Sequence, residues 1–437
     1  MVLLGSGQGA FGESPDLLRS SFEAGVDYVV CDSLAETTCG MFVLDQQADE
    51  SHGWAPDLLP RLDIALPYVA SSSTKLITNA GGVNALAAHQ RAVAHARSSG
   101  FAGLRIGVVH HDPPPAPGPH GTGTLATVAY AGAAGIVQAL DDDADIVITG
   151  RVADAALFLA PLVHEYGWDW NDWDRLAAGA TVGHLLECSG QAVGGNYSGD
   201  WWNLLDYRTI GLPIAAVDAD GTSTITKPRG SSGRVSFDTV REQLLYEVHD
   251  PAAYVTPDVV VDLASTRLHD LGDDRVAVSG VRGTPRPRHL KAVRYTIGGF
   301  TAEATLTFAW PDAEAKCRYA VRSLRETAVD EGIEVLDWLE EYFGIGGFGG
   351  PTVGTDDRPE DPPEVTARLA WRTATPEQAA AVEHLVPRIA LFSPAGLQGI
   401  GRRTRARTGP SPLLRIDPYL VDRELVERSE RVLVEEA

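Results

Sequence analysis

Five short apolar runs alternate with helical stretches over the first 200 residues, and this pattern constrains the fold more than any other feature. Strands that alternate with helices of roughly ten to fifteen residues are typical of βαβ units, in which helices cover both faces of a parallel sheet. The sequence therefore predicts an α/β protein whose N-terminal part is a mainly parallel sheet with helices on both faces. The runs are VLLGSG (2–7), VDYVVCD (26–32), KLITNAGG (75–82), LRIGVVHHD (104–112) and ADIVITGR (144–151), and the helical stretches include 15–24, 84–99 and 126–140.

Changes in hydrophobic pattern and turn residues along the chain predict three domains. The α/β domain covers 1–210, with a candidate site at the carboxyl ends of its strands. Turn signals flank short alternating runs in 211–289, which predicts a β-rich insert or second layer. The segment 290–437 opens with AVRYTIGGFTAEATLTFAW, where Gly-Gly suggests a hairpin turn. Its pattern predicts a smaller α+β domain of ferredoxin-like character with a helical tail.

The charge and the cysteines of this 437-residue chain exclude several classes of protein. A net charge of −23 argues against nucleic acid, whose partners need a basic face, and against an anionic membrane surface. Four cysteines without a CxxC pair indicate a reduced compartment, and the N-terminus lacks a signal-peptide pattern. We therefore expect a cytoplasmic protein with a small-molecule substrate, with no nucleic-acid or membrane partner, and assembled as a homo-oligomer.

The glycine-rich segment GSGQGAFG (5–12) lies between the first predicted strand and a helix. Gly5, Gly7 and Ala10 satisfy the G-x-G-x-x-G/A pattern of a dinucleotide site, and Asp32 follows about 20 residues on, where an acid would bind a ribose hydroxyl. Three interpretations stay open. The segment binds a nucleotide, or its backbone N–H groups, including those of Gly7 and Gly9, hold another anion, or it is only a turn.

Polar residues follow four of the predicted strands, and ligands of open α/β sheets bind beyond the carboxyl ends of the strands. Asp32 and Glu36 are candidates for a general base or acid, because carboxylates in a partly desolvated cleft can be tuned towards neutrality. Asn79, Asn84 and Arg151 would orient a substrate or stabilise an oxyanion. The alternative is that these residues only cap helices and that the glycines only allow positive φ. The full candidate set is Asp32, Glu36, Asn79, Gly81, Gly82, Asn84, Arg151 and Asp154.

The run KPRGSSGR places Lys227, Arg229 and Arg234 among Gly and Ser residues of an otherwise acidic chain. Cations, hydroxyls and bare N–H groups together suit a phosphate or a carboxylate. These three residues are therefore candidates for binding the anionic end of a substrate. A solvated hairpin turn accounts for the same run equally well.

The motif HLLEC puts His184, Glu187 and Cys188 on one helical face, a spacing that suits metal or nucleophile chemistry. No third ligand accompanies them, and a buried thiol on a helix usually serves packing. The pair His110 and His111, beside a proline-rich loop, is equally isolated. We therefore expect no stoichiometric transition metal, and we consider HLLEC a candidate wall of a polar pocket.

The chain contains the long motifs GSGQGAFGES, DYVVCDSLAE, ITNAGGVN, DIVITGRVADAALFLAPLVHEYGW, HLLECSGQAVGG and QLLYEVHDPAAYVTPDVV. Together these motifs resemble the acyclic terpene utilisation family, AtuA. The resemblance covers roughly residues 1–400 and implies a protein encoded with enzymes that break down acyclic terpenes and branched acyl-CoA compounds. It assigns no catalytic role to any residue. Because some relatives carry a further small C-terminal domain, it also implies a separate small partner polypeptide.

These observations favour a metabolic enzyme that acts on an acyl thioester or small carboxylate by lyase, hydratase or isomerase chemistry. No redox cofactor is firmly encoded, and CoA would enter only as part of the substrate. Two alternatives remain. One is a nucleotide-dependent oxidoreductase that uses the loop 5–12, and the other is a non-catalytic accessory subunit of acyl-CoA enzymes.

Overall fold

A computed structural model describes residues 1–117, 123–204, 206, 208–345, 361–403 and 410–437. The strands are β1 Val2–Gln8, β2 Tyr28–Cys31, β3 Lys75–Thr78, β4 Arg105–His110, β5 Thr124–Ala129, β6 Ile146–Thr149, β7 Ile214–Val217, β8 Ser223–Thr226, β9 Tyr254–Val255, β10 Val260–Asp262, β11 Arg267–Asp270, β12 Val276–Ser279, β13 Arg282–Thr284, β14 His289–Ala309, β15 Asp337–Phe343, β16 Glu364–Thr373, β17 Leu397–Arg403, β18 Ser411–Asp422 and β19 Arg431–Glu436. The α-helices are α1 Leu18–Glu23, α2 Glu36–Ala48, α3 Leu58–Ser71, α4 Ala85–Ser98, α5 Ala134–Asp141, α6 Asp154–Tyr166, α7 Trp173–Glu187, α8 Phe237–Leu245, α9 Ala313–Asp330, α10 Pro376–Leu385, α11 Ile389–Phe392 and α12 Arg423–Ser429.

The chain divides into two compact units, and the first contains a ten-stranded sheet. Unit 1 comprises Met1–Tyr295 and Ile416–Ala437, and unit 2 comprises Thr296–Arg415. The sheet order is β11-β12-β8-β7-β1-β2-β3-β6-β4-β19. Its five central strands, from β1 to β4, are parallel, and antiparallel strands flank them on both sides. The predicted parallel sheet is thus confirmed, and its centre consists of the five apolar runs.

Helices cover both faces of this sheet, as the sequence predicts. Along β2, Tyr28 and Val30 enter one core together with apolar residues of α5, α6 and α7. Val29 and Cys31 enter a second core with α1, α2, α3 and α4. Alternate residues of a strand point to opposite faces, so a strand buried on both faces must be apolar throughout. This explains why the five runs show no polar alternation.

Two local predictions are wrong, and one region is placed differently from the domain boundaries predicted above. The stretch 126–140 is not one helix, because β5 ends at Ala129 and α5 begins at Ala134. The segment 292–310 is not a hairpin, since Gly298 and Gly299 lie within the continuous strand β14. In 211–289, β7, β8, β11 and β12 extend the main sheet, while β9, β10 and β13 form a three-stranded sheet in the same unit.

Unit 2 contains an antiparallel sheet of order β15-β16-β14-β17. Along the chain its elements follow the order β14, α9, β15, β16, α10, β17, which is a split βαβ arrangement. The apolar faces of α9 and α10 pack on this sheet around Phe308, Leu369 and Trp371. The last 22 residues, Ile416–Ala437, belong to unit 1, where β19 pairs with β4.

Candidate active site

Asp32 and Asn79 form a buried hydrogen-bonded pair where β2 and β3 end. Asn79 Nδ2 donates to Asp32 Oδ1 over 2.5 Å, and the Leu34 N–H donates to the same oxygen over 3.0 Å. Asn79 Oδ1 accepts from the Ser33 N–H over 2.6 Å. Asp32 is 5% exposed and Asn79 is fully buried. Among the described residues, none donates to Asp32 Oδ2, so one carboxylate oxygen is fixed and the other is available.

The end of β1 joins this pair through Gln8. Ser33 Oγ donates to Gln8 Oε1 over 2.9 Å, and the Asp32 N–H donates to the Gln8 carbonyl over 3.0 Å. Gln8 Nε2 donates in turn to the Ala10 carbonyl and to Asp57 Oδ2. The segment 5–12 is therefore held against Asp32 by its own side chains and backbone.

Arg151, which follows β6, reaches across the sheet edge to the end of β2. Its Nη1 donates to the Leu34 carbonyl over 2.6 Å and lies 2.9 Å from Asp154 Oδ1. The guanidinium carbon lies 4.1 Å from the centre of the Tyr130 ring, a cation–π distance. Arg151 is 4% exposed, and its Nε has no hydrogen-bond partner among the described residues. The structure thus brings Asp32, Asn79 and Arg151 together at one edge of the sheet.

Burial has the largest effect on the pKa values of the carboxyl groups in this cluster. The cluster contains several carboxyl groups and one guanidinium, that of Arg151. Burial raises the pKa of Asp32 to about 6, although Arg151 and the hydrogen bonds from Leu34 and Asn79 act in the opposite direction, and the charge of Glu187 raises it further. Burial also raises the pKa of Asp154 well above its usual range, against the attraction of Arg151. A carboxyl group with a pKa of about 6 exchanges protons readily near neutral pH. Such perturbed groups in one place are typical of active sites.

Glu36, at the first turn of α2, is an ion-pair residue at the edge of the cluster. Its Oε1 lies 2.5 Å from Lys291 Nζ, and Tyr295 Oη donates to its carbonyl over 3.0 Å. Burial raises the pKa of Glu36, but the hydrogen bonds from Lys291 and Tyr130 outweigh burial and lower it to about 2. A carboxylate with this pKa is a poor proton acceptor at neutral pH. Of these two carboxyl groups, only Asp32 has a pKa near neutrality.

His184 and Glu187, near the end of α7, form a second buried pair. His184 Nδ1 lies 2.9 Å from Glu187 Oε1, and Nε2 lies 3.2 Å from the Leu244 carbonyl. The turn after Glu187 packs tightly on the segment 5–12. Gly9 leaves no room for a side chain there, since an added Cβ atom would lie 2.2 Å from the Ser189 nitrogen. Burial raises the pKa of Cys188 to about 12, which excludes a thiolate nucleophile there at neutral pH.

A pocket of about 360 Å³ lies beyond the carboxyl ends of β3, β6 and β4, with β5 as one wall. Its lining is mainly apolar and includes Val83, Val109, Leu125, Val128 and Val152. The polar lining residues are Gln46, His110, His111, Thr124, Thr127 and Arg151. An apolar cavity of this size with a few polar groups is typical of a small-molecule site. Arg151 belongs both to this pocket and to the carboxylate cluster.

Several other candidate residues have structural roles. Asn84 caps α4 by accepting from the Ala87 N–H and donates to the carbonyls of Glu50 and His52. Gly7 lies within β1, where a Cβ atom would meet Val29 and Cys31 at 2.7 and 2.8 Å. Gly81 packs on the Thr149 carbonyl, whereas Gly82, at a φ of +58°, lines the pocket.

The basic residues of KPRGSSGR are not brought to this pocket. They follow β8, which is four strands from β3 in the sheet, or roughly 19 Å at the usual strand spacing. Lys227 pairs with Asp274 and Arg234 with Asp200, while Arg229 is exposed. The positions of these residues fit the alternative interpretation, a polar turn.

The geometry of the segment 5–12 does not support the dinucleotide interpretation. Gly5 and Gly7 are strand residues, whereas the fingerprint needs its glycines in the turn after the strand. The helix that follows, α1, has only six residues after one 3₁₀ turn, Pro15–Leu17. Asp32 is hydrogen-bonded inward to Leu34 and Asn79 and not positioned beside an open loop.

Sequence reasoning missed Tyr130, Lys291 and Tyr295 altogether. The ring of Tyr130 lies between two cations, Arg151 at 4.1 Å and Lys291 at 4.6 Å. Lys291 and Tyr295 come from β14, more than 250 residues from Glu36 in the chain. No local pattern signals such contacts. Glu187 was noticed only as part of HLLEC, with no sign that it would lie near Asp32.

Two kinds of feature are absent from the described part of the chain. No group of three or more His, Cys, Asp or Glu side chains has the geometry to hold a metal ion. No helix in this part of the chain is long and apolar enough to cross a membrane.

Gly9→Ala is expected to destabilise the site, because the new Cβ would lie 2.2 and 2.5 Å from backbone atoms of Ser189 and Glu187. Backbone atoms cannot yield as a flexible side chain can, so we expect a loss of at least about 3 kcal/mol of unfolding free energy. Gly12→Ala is the matched control, since that site is open and only its φ of +92° is unfavourable, at about 1 kcal/mol. Urea unfolding measures both; equal losses would contradict the packing described here.

Glu36→Gln is expected to remove a pH-dependent contribution to stability. Because Glu36 has a pKa of about 2 when folded and about 4.3 when unfolded, its contribution is full above pH 5 and is lost as the pH falls from 4 to 2. The side chain is 38% exposed, so solvent screening reduces the effect at pH 7 to about 1 kcal/mol. Urea unfolding at pH 7 and pH 3.5 measures it, with exposed Glu50→Gln as control. A difference that grows at low pH would refute this account.

The fold and the cluster define a class, namely α/β proteins with a buried arginine–carboxylate site and an adjoining apolar pocket at the strand ends of a mainly parallel sheet. The chain belongs to the acyclic terpene utilisation family: the model of "Acyclic terpene utilisation family protein AtuA" matches residues 2–116 and 118–432. No curated protein matches the sequence significantly. A homoserine dehydrogenase from Thiobacillus denitrificans is 11% identical in sequence over 89% of this chain and 84% of its own, with a TM-score of 0.17, too low to support any argument.

Proposed function

We propose that this protein is an enzyme of acyclic terpene breakdown that acts on the acyl thioester or free acid of a branched chain. The proposed chemistry is proton transfer of the lyase, hydratase or isomerase type. Membership of the acyclic terpene utilisation family supports the substrate class. The pocket supports it as well, since a branched hydrocarbon chain suits a cavity walled by Val83, Val109, Leu125 and Val128.

The main support for the proposed chemistry is the hydrogen bonding and the pKa of Asp32. Its Oδ1 is fixed by two donors, its Oδ2 accepts no described hydrogen bond, and burial brings its pKa to about 6. At pH 7 about nine-tenths of such a carboxyl is ionised and ready to accept a proton, while the protonated form remains accessible. A base whose pKa lies near the working pH transfers protons efficiently in both directions.

Arg151 connects the proposed base to the proposed binding pocket. Its Nε is a buried donor without a described partner, and its Nη1 is anchored to Leu34 and Asp154. A fixed guanidinium stabilises negative charge that develops on a carbonyl oxygen when a proton leaves the adjacent carbon. In this proposal the branched chain occupies the pocket, the carbonyl faces Arg151, and the CoA carrier of a thioester remains outside the cavity.

Ala126→Trp tests the pocket directly. Ala126 lines the cavity from β5 and is partly exposed, so a bulky side chain should fill the cavity without disrupting the core. We expect the variant to bind geranic acid, or its CoA thioester, at least about tenfold more weakly, which corresponds to about 1.4 kcal/mol. Isothermal titration calorimetry measures the affinity, and Ala126→Ser is the control of similar size.

The possible results of this binding experiment distinguish the candidate functions. Binding to the wild type that Ala126→Trp abolishes supports the proposal. Unchanged binding by Ala126→Trp would show that the acyl chain occupies another place. A wild type that binds neither the acid nor the thioester would favour a non-catalytic accessory subunit.

A further inference from the structure

The hydrogen bonds of His184 place a proton on Nε2 and pair Nδ1 with the carboxyl group of Glu187. Nε2 faces the Leu244 carbonyl over 3.2 Å, and a carbonyl oxygen can only accept, so Nε2 must carry a proton. Nδ1 faces Glu187 Oε1 over 2.9 Å, and an ionised carboxylate also only accepts. Burial lowers the pKa of His184, but the bond to Glu187 outweighs burial and leaves the pKa raised. His184 is 2% exposed and in contact with Tyr254, whose ring centre lies 5.1 Å away.

His184 contacts one oxygen of Glu187 and leaves the other without a partner. Glu187 is 8% exposed, and its Oε2 is buried with no hydrogen-bond donor among the described residues. A buried acceptor without a donor is energetically unfavourable, so we expect Oε2 to accept a hydrogen bond from a water molecule or a ligand. The carbonyl oxygen of Glu187 packs on Gly9, next to Gln8, whose own carbonyl accepts from the Asp32 N–H. The charge of Glu187 also raises the pKa of Asp32 and of Asp154.

We infer that Glu187 is a second catalytic carboxylate of the proposed site, that its Oε2 binds a water molecule or a substrate hydroxyl, and that His184 is its positioning residue. The inference rests on the proposed function and names the ligand class of this part of the site. A hydroxyl or water supplies the donor that Oε2 lacks.

In a hydration reaction, Glu187 would accept one proton and Asp32 would donate another. As the water oxygen bonds to one carbon of a double bond conjugated to the carbonyl, Glu187 Oε2 takes a proton from that water. Protonated Asp32 gives its proton to the neighbouring carbon, so that H and OH are added in total. The proton on Glu187 then returns to Asp32 through solvent, which restores both groups. Pairs of acids in different environments commonly divide proton transfers in this way.

The protonation of His184 provides a test that needs no substrate. Protein labelled with ¹⁵N in its histidines should show His184 with protons on both ring nitrogens at pH 7.5, and Glu187→Gln should convert it to a neutral ring protonated only at Nε2. The signal is assigned by its loss in His184→Gln or, should that variant not fold, by its contact with the Tyr254 ring. A neutral His184 in the wild type at pH 7.5 would overturn the inference.

Kinetics with the CoA thioester of geranic acid test the catalytic role. Glu187→Gln should lower kcat by about 100-fold or more, the usual effect of removing a general acid or base, with KM changed less than about threefold. His184→Gln should lower kcat less, by about tenfold, and shift the pH dependence of kcat. Asp141→Asn, which breaks the exposed 2.6 Å pair with His164, is the matched control and should have no effect.

The failure of this inference differs from the failure of the proposed function. Turnover by the wild type that Glu187→Gln retains would refute the role of Glu187 and leave the proposed function intact. A wild type that turns over no acyl substrate would refute the proposed function and the catalytic role together.

Discussion

Asp32→Asn is expected to abolish turnover while raising the melting temperature at neutral pH. Asp32 has a pKa of about 6 in the folded protein and about 3.9 in an unfolded chain. The folded state therefore holds this proton more tightly, so stability from this group is present below pH 4 and declines as the pH rises through 6. Asparagine resembles the protonated acid and can still accept the hydrogen bonds from Leu34 and Asn79.

The expected gain at pH 7.5 is on the order of 3 kcal/mol, from a shift of about two pKa units, and it corresponds to a few degrees in melting temperature. Loss of turnover should exceed about 100-fold, because the exchangeable proton is gone. Asp145→Asn is the control, since Asp145 accepts from the Arg105 N–H outside the site. Differential scanning calorimetry and a turnover assay measure both effects. A destabilised variant that keeps its activity would show that Asp32 is structural.

Arg151→Leu is expected to be the most destabilising single substitution at the site. Arg151 compensates the buried carboxylates Asp32 and Asp154, and its removal leaves them without their described cation. Breaking a buried ion pair from one side costs about 3–5 kcal/mol. Urea unfolding should show a loss of this size, together with loss of binding of geranic acid.

The double variant Arg151→Leu/Asp154→Leu should recover a large part of the lost stability, because it removes the carboxylate as well as the cation. Arg151→Lys should keep some stability, because the contacts to Leu34 and Asp154 are both made by Nη1 alone. It should lose binding, because a lysine has no counterpart of the other guanidinium N–H groups that would bind the substrate carbonyl. A loss of unfolding free energy below about 1 kcal/mol in the single variant would contradict the role of Arg151 in compensating the buried carboxylates. A double variant no more stable than the single variant would contradict it as well.

The core of the fold and of the site could be predicted because both depend on local and topological rules. A strand buried on both faces must be apolar, so the five central strands were visible in the sequence. The carboxyl ends of parallel strands share one edge of a sheet, so the meeting of Asp32, Asn79 and Arg151 follows from topology alone. No detailed knowledge of packing was needed for these predictions.

The remaining parts depend on packing that the local sequence does not encode. A helix-capping asparagine and a site asparagine have the same sequence signal, and only the hydrogen bonds of Asn84 and Asn79 distinguish their roles. The segment around β5 has helix-forming alanines, yet backbone pairing with β14 makes it a strand. Lys291 reaches Glu36 only because β14 pairs with β5, a contact between distant parts of the chain.

The most direct test of the central claim is a crystal structure with the CoA thioester of geranic acid bound. The branched chain is expected in the pocket between β5 and the ends of β3, β6 and β4. The thioester carbonyl is expected within hydrogen-bond distance, roughly 3 Å, of the Arg151 guanidinium, with Asp32 Oδ2 facing the neighbouring carbon. An acyl chain bound elsewhere, or a carbonyl that contacts neither Arg151 nor Asp32 at saturating ligand, would contradict the proposed active site.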